Sequence, residues 1–475
     1  MQSSRMTSTV AIDPFSSLIE LGRGLANGAF TALDLTCFYL DRIERLDSKL
    51  HAFVSVHSDQ AIAAARASDE RRMAHEALGP LDGLPIAVND LCEIEGTITT
   101  FGSAAWAHRR SNCTADVVSK LRAAGMVILG KTHMVEFASG GWGTNTLMGT
   151  PWNPWDTRHH RIPGGSSSGS AVAVAAGLAP AAIGTDTGGS VRGPAALNGL
   201  TGLKCTAELI SLRNSLPLSP TLDSIGPLCR TAADAALLTA VLADSSGAAC
   251  GLMAGSPGKN GPEIELGAAR VVVLRELDFP IPVEPEVLEA FAQAQDVFRK
   301  LGVQFLGRPL PFPLTDIARR YSELIAAEAW QFHKEYIEDP ALPIGPAVRA
   351  RIIAGKDISD SQYEETLAHL KVTRAAWIDW MADVDALMAP TLPMVACQVE
   401  DVDERTAPLG AFTRPANYFG ACAISLPAGL SSAGLPIGFQ LMAKPFAEAS
   451  LLGIAKAFQE QTRWHSQVPD LASCS

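Results

Sequence analysis

Two glycine/serine knots, Gly164–Ser170 (GGSSSGS) and Gly188–Ser190 (GGS), are joined by the alanine- and valine-rich stretch AVAVAAGLAPAAIGTDT. The knots carry too much glycine and serine for a core helix, and the stretch between them is too apolar for a linker. The pattern predicts a short Ala-rich helix over Ser170–Gly177 and a short strand over Ala181–Gly184. A glycine turn from Gly188 then leads into another helical piece. Two tight turns are thus held around one small buried unit.

Three chemistries use such knots. A glycine loop entering a helix can cradle phosphate through backbone N–H groups, but neither G-x-x-x-x-G-K-[ST] nor G-x-G-x-x-G is formed. Gly165-Ser166-Ser167-Ser168-Gly169 matches G-x-S-x-G with Ser167 as nucleophile. That motif needs an apolar strand before it, which RHHRIP is not, and a downstream Asp and His. The third chemistry accounts for both knots. Thr187-Gly188-Gly189-Ser190 can aim several N–H groups at one point, an oxyanion hole with its nucleophile attached, while a serine of the other knot passes the proton. The bland alternative, glycines for close packing and serines as helix caps, suits one knot better than two.

The flanking sequence indicates an α/β sheet. TALDLTCFYLDRIERLDSKL has helical spacing with Thr31 as N-cap, and a second helix is expected over Asp59–Glu76. GLPIAV (Gly83–Val88) and MVILGKT (Met126–Thr132) read as buried strands. Residues 280–385 read as helices carrying Tyr321, Trp330, Phe332, Tyr336 and Trp377, aromatics assigned mainly to core packing. LMAPTLP, AISLPAG and GLPIGFQLM return to strand and are expected to rejoin the first sheet. With no repeat or linker, the 475 residues are read as a single domain with a helical insertion lining the pocket.

Composition narrows the function classes. A net charge of −12 argues against a sequence-independent grip on nucleic acid, so no nucleic-acid partner is expected. The nine cysteines include no C-x-x-C pair and are read as free thiols of a reducing compartment. The N-terminus lacks the pattern of a secretory leader, and no run of ~18 apolar residues is present. A cytoplasmic protein without a membrane partner is the expectation. No cluster of metal-ligand spacing occurs, so neither metal nor organic cofactor is expected.

The run PGGSSSGSAVAVAAGLAPAAIGTDTGGSVRGPAALNGLTGLK resembles the signature of the amidase signature family, serine hydrolases with a Ser–cis-Ser–Lys triad. GLPIAVND, ILGKTHMVEFA, GTPWNPWD, PLSPTLDSIGPLCRTAADAALL, LMAPTLP and GLPIGFQLM match as well. Together they cover most of residues 80–240 and 385–445. The resemblance implies the amidase signature fold, α/β with a central mixed β-sheet flanked by helices on both faces. It implies Ser190 as nucleophile and Ser166 as the serine that follows a cis peptide bond. Thr187, Gly188, Gly189 and Ser190 would supply the oxyanion-hole N–H groups. Ala138, Ser139 and Gly140 would line the acyl pocket, and Asp186 and Arg192 would hold the nucleophile loop. The implied ligand is a small-molecule amide, with Tyr418 and Phe419 of TRPANYFG hinting at an aryl group. A homodimer is compatible with the family, although no interface is legible.

One position departs from the pattern. The family's catalytic lysine stands at the end of the strand PIAVND, where this chain has Asn89. A buried lysine can have its pKa lowered enough to accept a proton, whereas a carboxamide has no useful basicity. Lys131 belongs to the family's own GKT stretch and is read as structural. The chain as it stands is therefore expected to hydrolyse amides very poorly while retaining its binding pocket. Asn89 fits a change made in an active amidase so that it traps its ligand. It also fits a natural, catalytically silent binding protein, though the otherwise intact catalytic elements favour the made change. Membership of a tRNA-dependent amidotransferase, as one of its subunits, is the further alternative.

Overall fold

In a computed structural model, which describes residues 12–243 and 266–474, eleven strands form one mixed sheet flanked by helices. The leader reading of the first eleven residues and the thiol of Cys250 lie outside the described residues. The strands are β1 (Phe53–Val56), β2 (Pro85–Asn89), β3 (Val127–Thr132), β4 (Ala181–Thr185), β5 (Thr201–Lys204), β6 (Ile225–Cys229), β7 (Arg270–Val273), β8 (Gln304–Leu306), β9 (Ala386–Pro390), β10 (Cys422–Leu430) and β11 (Pro436–Ala443). Their order is β1-β3-β2-β4-β6-β5-β10-β11-β9-β7-β8. The central strands are buried on both faces and accordingly read as continuous apolar runs, without alternation.

The early part of the chain builds one half of this sheet and the late part the other. They join where β5 lies antiparallel to β10, with Lys204 opposite Ala423. The buried Lys204 ammonium donates to the carbonyls of Cys205 (2.9 Å) and Ala421 (2.7 Å) at this seam. Burial lowers its pKa to about 8.

Local signals are realised with small shifts. Thr31 and Asp34 form a reciprocal capping box on the helix Ala32–Leu50. The Ala-rich helix runs Ser168–Ala175, and the strand after it is one residue longer than expected. The stretch 280–385 departs more. It contains the helices Pro285–Lys300, Leu314–His333, Pro346–Ile353 and Asp360–Trp380, but also β8, which pairs in parallel with β7. Three residues are too few for a period-2 signal to emerge between two strong helical patterns. Tyr418 and Phe419 are fully buried, and Phe419 stacks on Trp377 at 4.6 Å between ring centroids. These two aromatics belong to the core, so the aryl hint drawn from them is withdrawn.

Strand parity decides what lies near the signature stretch. In the parallel pairing of β2 and β3, Val88 stands opposite Lys131 and Asn89 opposite Thr132. Successive residues point to opposite faces, so Asn89 and Thr132 share one face and Lys131 takes the other. Thr132 Oγ1 lies 2.7 Å from Ser170 Oγ of the Ala-rich helix, which fixes the Asn89 face as the one the serine knots cover. On the opposite face Lys131 Nζ pairs with Asp90 Oδ1 at 2.6 Å, with both side chains buried. Lys131 therefore cannot stand in for a base at position 89. Replacing Lys131 by Met strands the Asp90 carboxylate and is expected to cost about 3–5 kcal/mol of stability. The check is an earlier denaturation midpoint at unchanged slope.

Candidate active site

The two knots meet at one cavity of about 370 Å³. Ala138, Ser139, Gly140, Thr187, Gly188, Gly189 and Ser190 all line it. Of the remaining predicted residues, Ser166 and Asn89 lie behind the wall and are fully buried. The Gly165–Ser166 peptide bond is cis. Backbone hydrogen bonds fasten the walls together. Ser167 N–H donates to Ser190 O (3.2 Å), Gly165 N–H to Gly141 O (2.7 Å) and Val135 N–H to Ser166 O (3.0 Å).

The turn that carries Ser190 is shaped by Asp186. Its buried carboxylate accepts from the N–H groups of Gly189 (2.8 Å) and Val191 (3.2 Å), and from Arg192 Nε and Nη2 (3.0 Å each). Burial alone would raise the Asp186 pKa, but the Arg192 guanidinium holds it down to about 2. Arg192 continues to Gln440 Oε1 and Asn417 Oδ1, both at 2.8 Å. The loop-holding role expected of Asp186 and Arg192 is what these contacts provide. They also revise the oxyanion set. The Gly189 N–H is committed to Asp186, whereas among the described residues nothing accepts from the N–H of Thr187, Gly188 or Ser190.

Glycine is required at both turn positions. A Cβ on Gly188 would overlap the Tyr321 hydroxyl. Gly189 has φ +122°, and a Cβ there would overlap Thr413 Oγ1. Thr413 Oγ1 donates to Gly188 O at 2.6 Å, and Thr187 Oγ1 donates to Asp223 Oδ1 at 2.6 Å.

Behind the Ser190 turn, the buried side chains of Asn89 and Ser166 are not linked to each other by a hydrogen bond. Asn89 Oδ1 accepts from Leu91 N–H at 2.8 Å, which fixes its amide as a cap of its own turn. Among the described residues neither Asn89 Nδ2 nor Ser166 Oγ has a hydrogen-bond partner. Among the described residues, no histidine lines the cavity. Lys204 is engaged at the sheet seam, and His133, whose pKa burial lowers to about 4, lies near His51 (6.4 Å between ring centroids).

Several lining residues are not singled out individually by the sequence, although the 280–385 insertion is expected to line the pocket and Tyr321 is among its named aromatics. Tyr321, Ile325 and Ala329 come from one face of the helix Leu314–His333, Arg351 and Ile352 from the helix Pro346–Ile353, and Arg414 from the helix Arg414–Tyr418. Their spacing is ordinary helical amphipathicity, which marks a buried face without saying whether core or cavity lies opposite. Among the described residues, no three His, Cys, Asp or Glu side chains are grouped to hold a metal ion, and no helix is long and apolar enough to cross a membrane.

Comparison with known proteins places the chain in a family. The profile of the Amidase family matches residues 34–452. The chain belongs to the amidase signature family. It is 37% identical to the A-subunit of the glutamyl-tRNA(Gln) amidotransferase of Chromohalobacter salexigens, over 95% of this chain and 98% of that one. Among solved structures, one described as an amidase superposes with a TM-score of 0.83 at 30% identity, covering 94% of this chain and all of the other. The peptide amidase of Stenotrophomonas maltophilia gives 0.79 at 28% identity, covering 96% and 99% of the two chains. The A-subunit of the Thermotoga maritima glutamyl-tRNA(Gln) amidotransferase gives 0.77 at 29%, covering 96% and 97%. Family membership makes this amidase-fold chain a C–N hydrolase by descent.

The Thr187 contact makes the turn responsive to pH. Burial pushes the Asp223 pKa from 3.8 up to about 7, with Glu328 nearby adding to the rise. Between about pH 4 and 7 the folded state therefore holds a proton that the unfolded chain has released, and this carboxyl's contribution to stability falls as pH rises. Asp223→Asn removes the titration. The melting temperature of the wild type minus that of the variant is expected to shrink from pH 4.5 to pH 7.5, as thermal denaturation at the two pH values would read.

Proposed function

We infer that the cavity is a site of amide acyl transfer, with Ser190 as nucleophile, Ser166 as proton bridge and the Thr187, Gly188 and Ser190 N–H groups as oxyanion hole. The observation that carries this reading is their convergence. Ser190 stands at the cavity wall on a turn with three uncommitted N–H groups, with Ser166 of the second knot buried behind it. In the reaction Ser190 Oγ attacks the amide carbonyl carbon, its proton passing to Ser166 as Ser166 gives its own to a base. The tetrahedral oxyanion is held by the turn, whose donors are fixed before reaction and need no reorganisation. The proton is then delivered to the leaving nitrogen, the C–N bond breaks, and water releases the acid from Ser190.

Asn89 limits this sequence of steps. Ser166 must hand its proton to a base when it takes one from Ser190, and a carboxamide cannot accept it. The chain as it stands therefore binds amides and turns them over slowly. Asn89→Lys is expected to raise kcat on small amides by about 10²–10⁴-fold, the usual contribution of a general base. Adding Ser190→Ala to that variant should abolish the gain. If Asn89→Lys leaves the rate unchanged, or the Ser190→Ala double variant keeps it, the assignment fails.

A second reading is favoured by the relatives named as A-subunits of glutamyl-tRNA(Gln) amidotransferases, which align along nearly the whole chain. On that reading the same site releases amide nitrogen for a partner that carries the tRNA. The acidic balance of this chain leaves RNA binding to such a partner. Co-purification of further subunits from the native source would support it. Full amidase activity of the isolated Asn89→Lys chain would count against it.

A further inference from the structure

The charge on the cavity wall is one-sided. Two guanidinium groups, Arg351 and Arg414, line it, and among the described residues no Asp or Glu does. The two arginines are not equivalent. Arg351 donates to Glu404 O (2.8 Å) and Oε2 (3.4 Å) and to Ser139 O (2.6 Å), so its charge is matched by a carboxylate outside the cavity. Arg414 donates through Nη2 to Ala407 O (3.2 Å) and forms no ion pair among the described residues. Its guanidinium lies 5.3 Å from the Tyr321 ring centroid, and its Cγ is 3.3 Å from where a Gly188 Cβ would be. Gly410, without a side chain, leaves room for it. The cavity's unmatched positive charge thus sits beside the oxyanion turn, among apolar walls that include Trp142, Leu218 and Ile325.

We propose that the acyl part of the substrate carries a negative charge and that Arg414 reads it, so the preferred ligands are half-amides of dicarboxylic acids. This rests on the cavity being the amide site. Three physical arguments support it. A half-buried guanidinium beside apolar surface gains more from a carboxylate than one in open water does. Its planar fork matches a carboxylate's two oxygens. A substrate ammonium would meet this cation and find no carboxylate on the wall to pair with, so amides bearing a free amine are disfavoured. The Tyr321 hydroxyl, also at Gly188, adds a neutral donor to the same corner.

Arg414 is a specificity residue on this view, and the test reads binding without turnover. Isothermal calorimetry on the wild-type chain would compare succinamate, glutaramate and adipamate with their neutral diamides. Glutamine serves as the zwitterionic counterpart of glutaramate. At least one half-amide is expected to bind about tenfold or more tightly than its diamide, and glutaramate more tightly than glutamine. Raising the salt should narrow the difference. Arg414→Gln should bring half-amide and diamide together, while Arg414→Lys should keep part of the preference. A purely structural Arg414 would weaken both ligands alike in Arg414→Gln and leave their ratio unchanged, which overturns the proposal. Equal binding of half-amide and diamide at every chain length in the wild type overturns it without any variant. Because Ser190 chemistry plays no part in these measurements, either result leaves the acyl-transfer test standing on its own.

Discussion

The architecture of the site depends on one buried ion pair, Asp186 with Arg192. Both side chains are fully buried, so each charge must be matched inside the protein or not formed at all. The match is generous. Asp186 also takes the N–H of Gly189 and Asn417 Nδ2, and Arg192 reaches Gln440 on β11 and Asn417 in the helix Arg414–Tyr418. One carboxylate thereby ties the Ser190 turn to both halves of the sheet. The same network anchors the helix that carries Arg414 against the turn that carries Ser190, so both cavity-lining residues share one rigid mount.

A second constraint comes from the two faces of β2. The sheet puts Asn89 toward the serine knots and its sequence neighbour Asp90 toward the far side, where Lys131 neutralises it. A lysine only one strand away is thus kept off the face of the serine knots by pleat alone. Lys204, the other deeply buried amine at this end of the sheet, is held by two carbonyls at the β5–β10 seam. The neighbourhood contains ammonium groups and still leaves Ser166 Oγ without one, a consequence of geometry and not of composition.

The Gly/Ser knots show how far local chemistry can be read. Two glycines before a serine promise exposed N–H groups, and that promise holds for Thr187, Gly188 and Ser190. It fails for Gly189, because a carboxylate three residues upstream folds back to take its N–H. Tyr418 and Phe419 show the reverse error. Aromatics in a signature segment suggested a ligand, yet both are buried in the core, Phe419 stacked on Trp377 and Tyr418 against His369, and it is Arg414 of the same run that faces the cavity.

By itself the sequence determined the α/β class, the turns at Gly188 and Gly189, the presence of a serine in each knot and the absence of lysine at position 89. Each of these is local, carried by residue type and short spacing. Only the tertiary structure decided that Lys131 is out of reach, that Asp223 touches Thr187, that β8 extends the sheet and that Arg414 stands unmatched at the cavity wall. Those outcomes depend on strand parity and on which helix faces meet across hundreds of residues. A one-dimensional pattern records that a face is buried; the packing of the whole chain decides what that face meets.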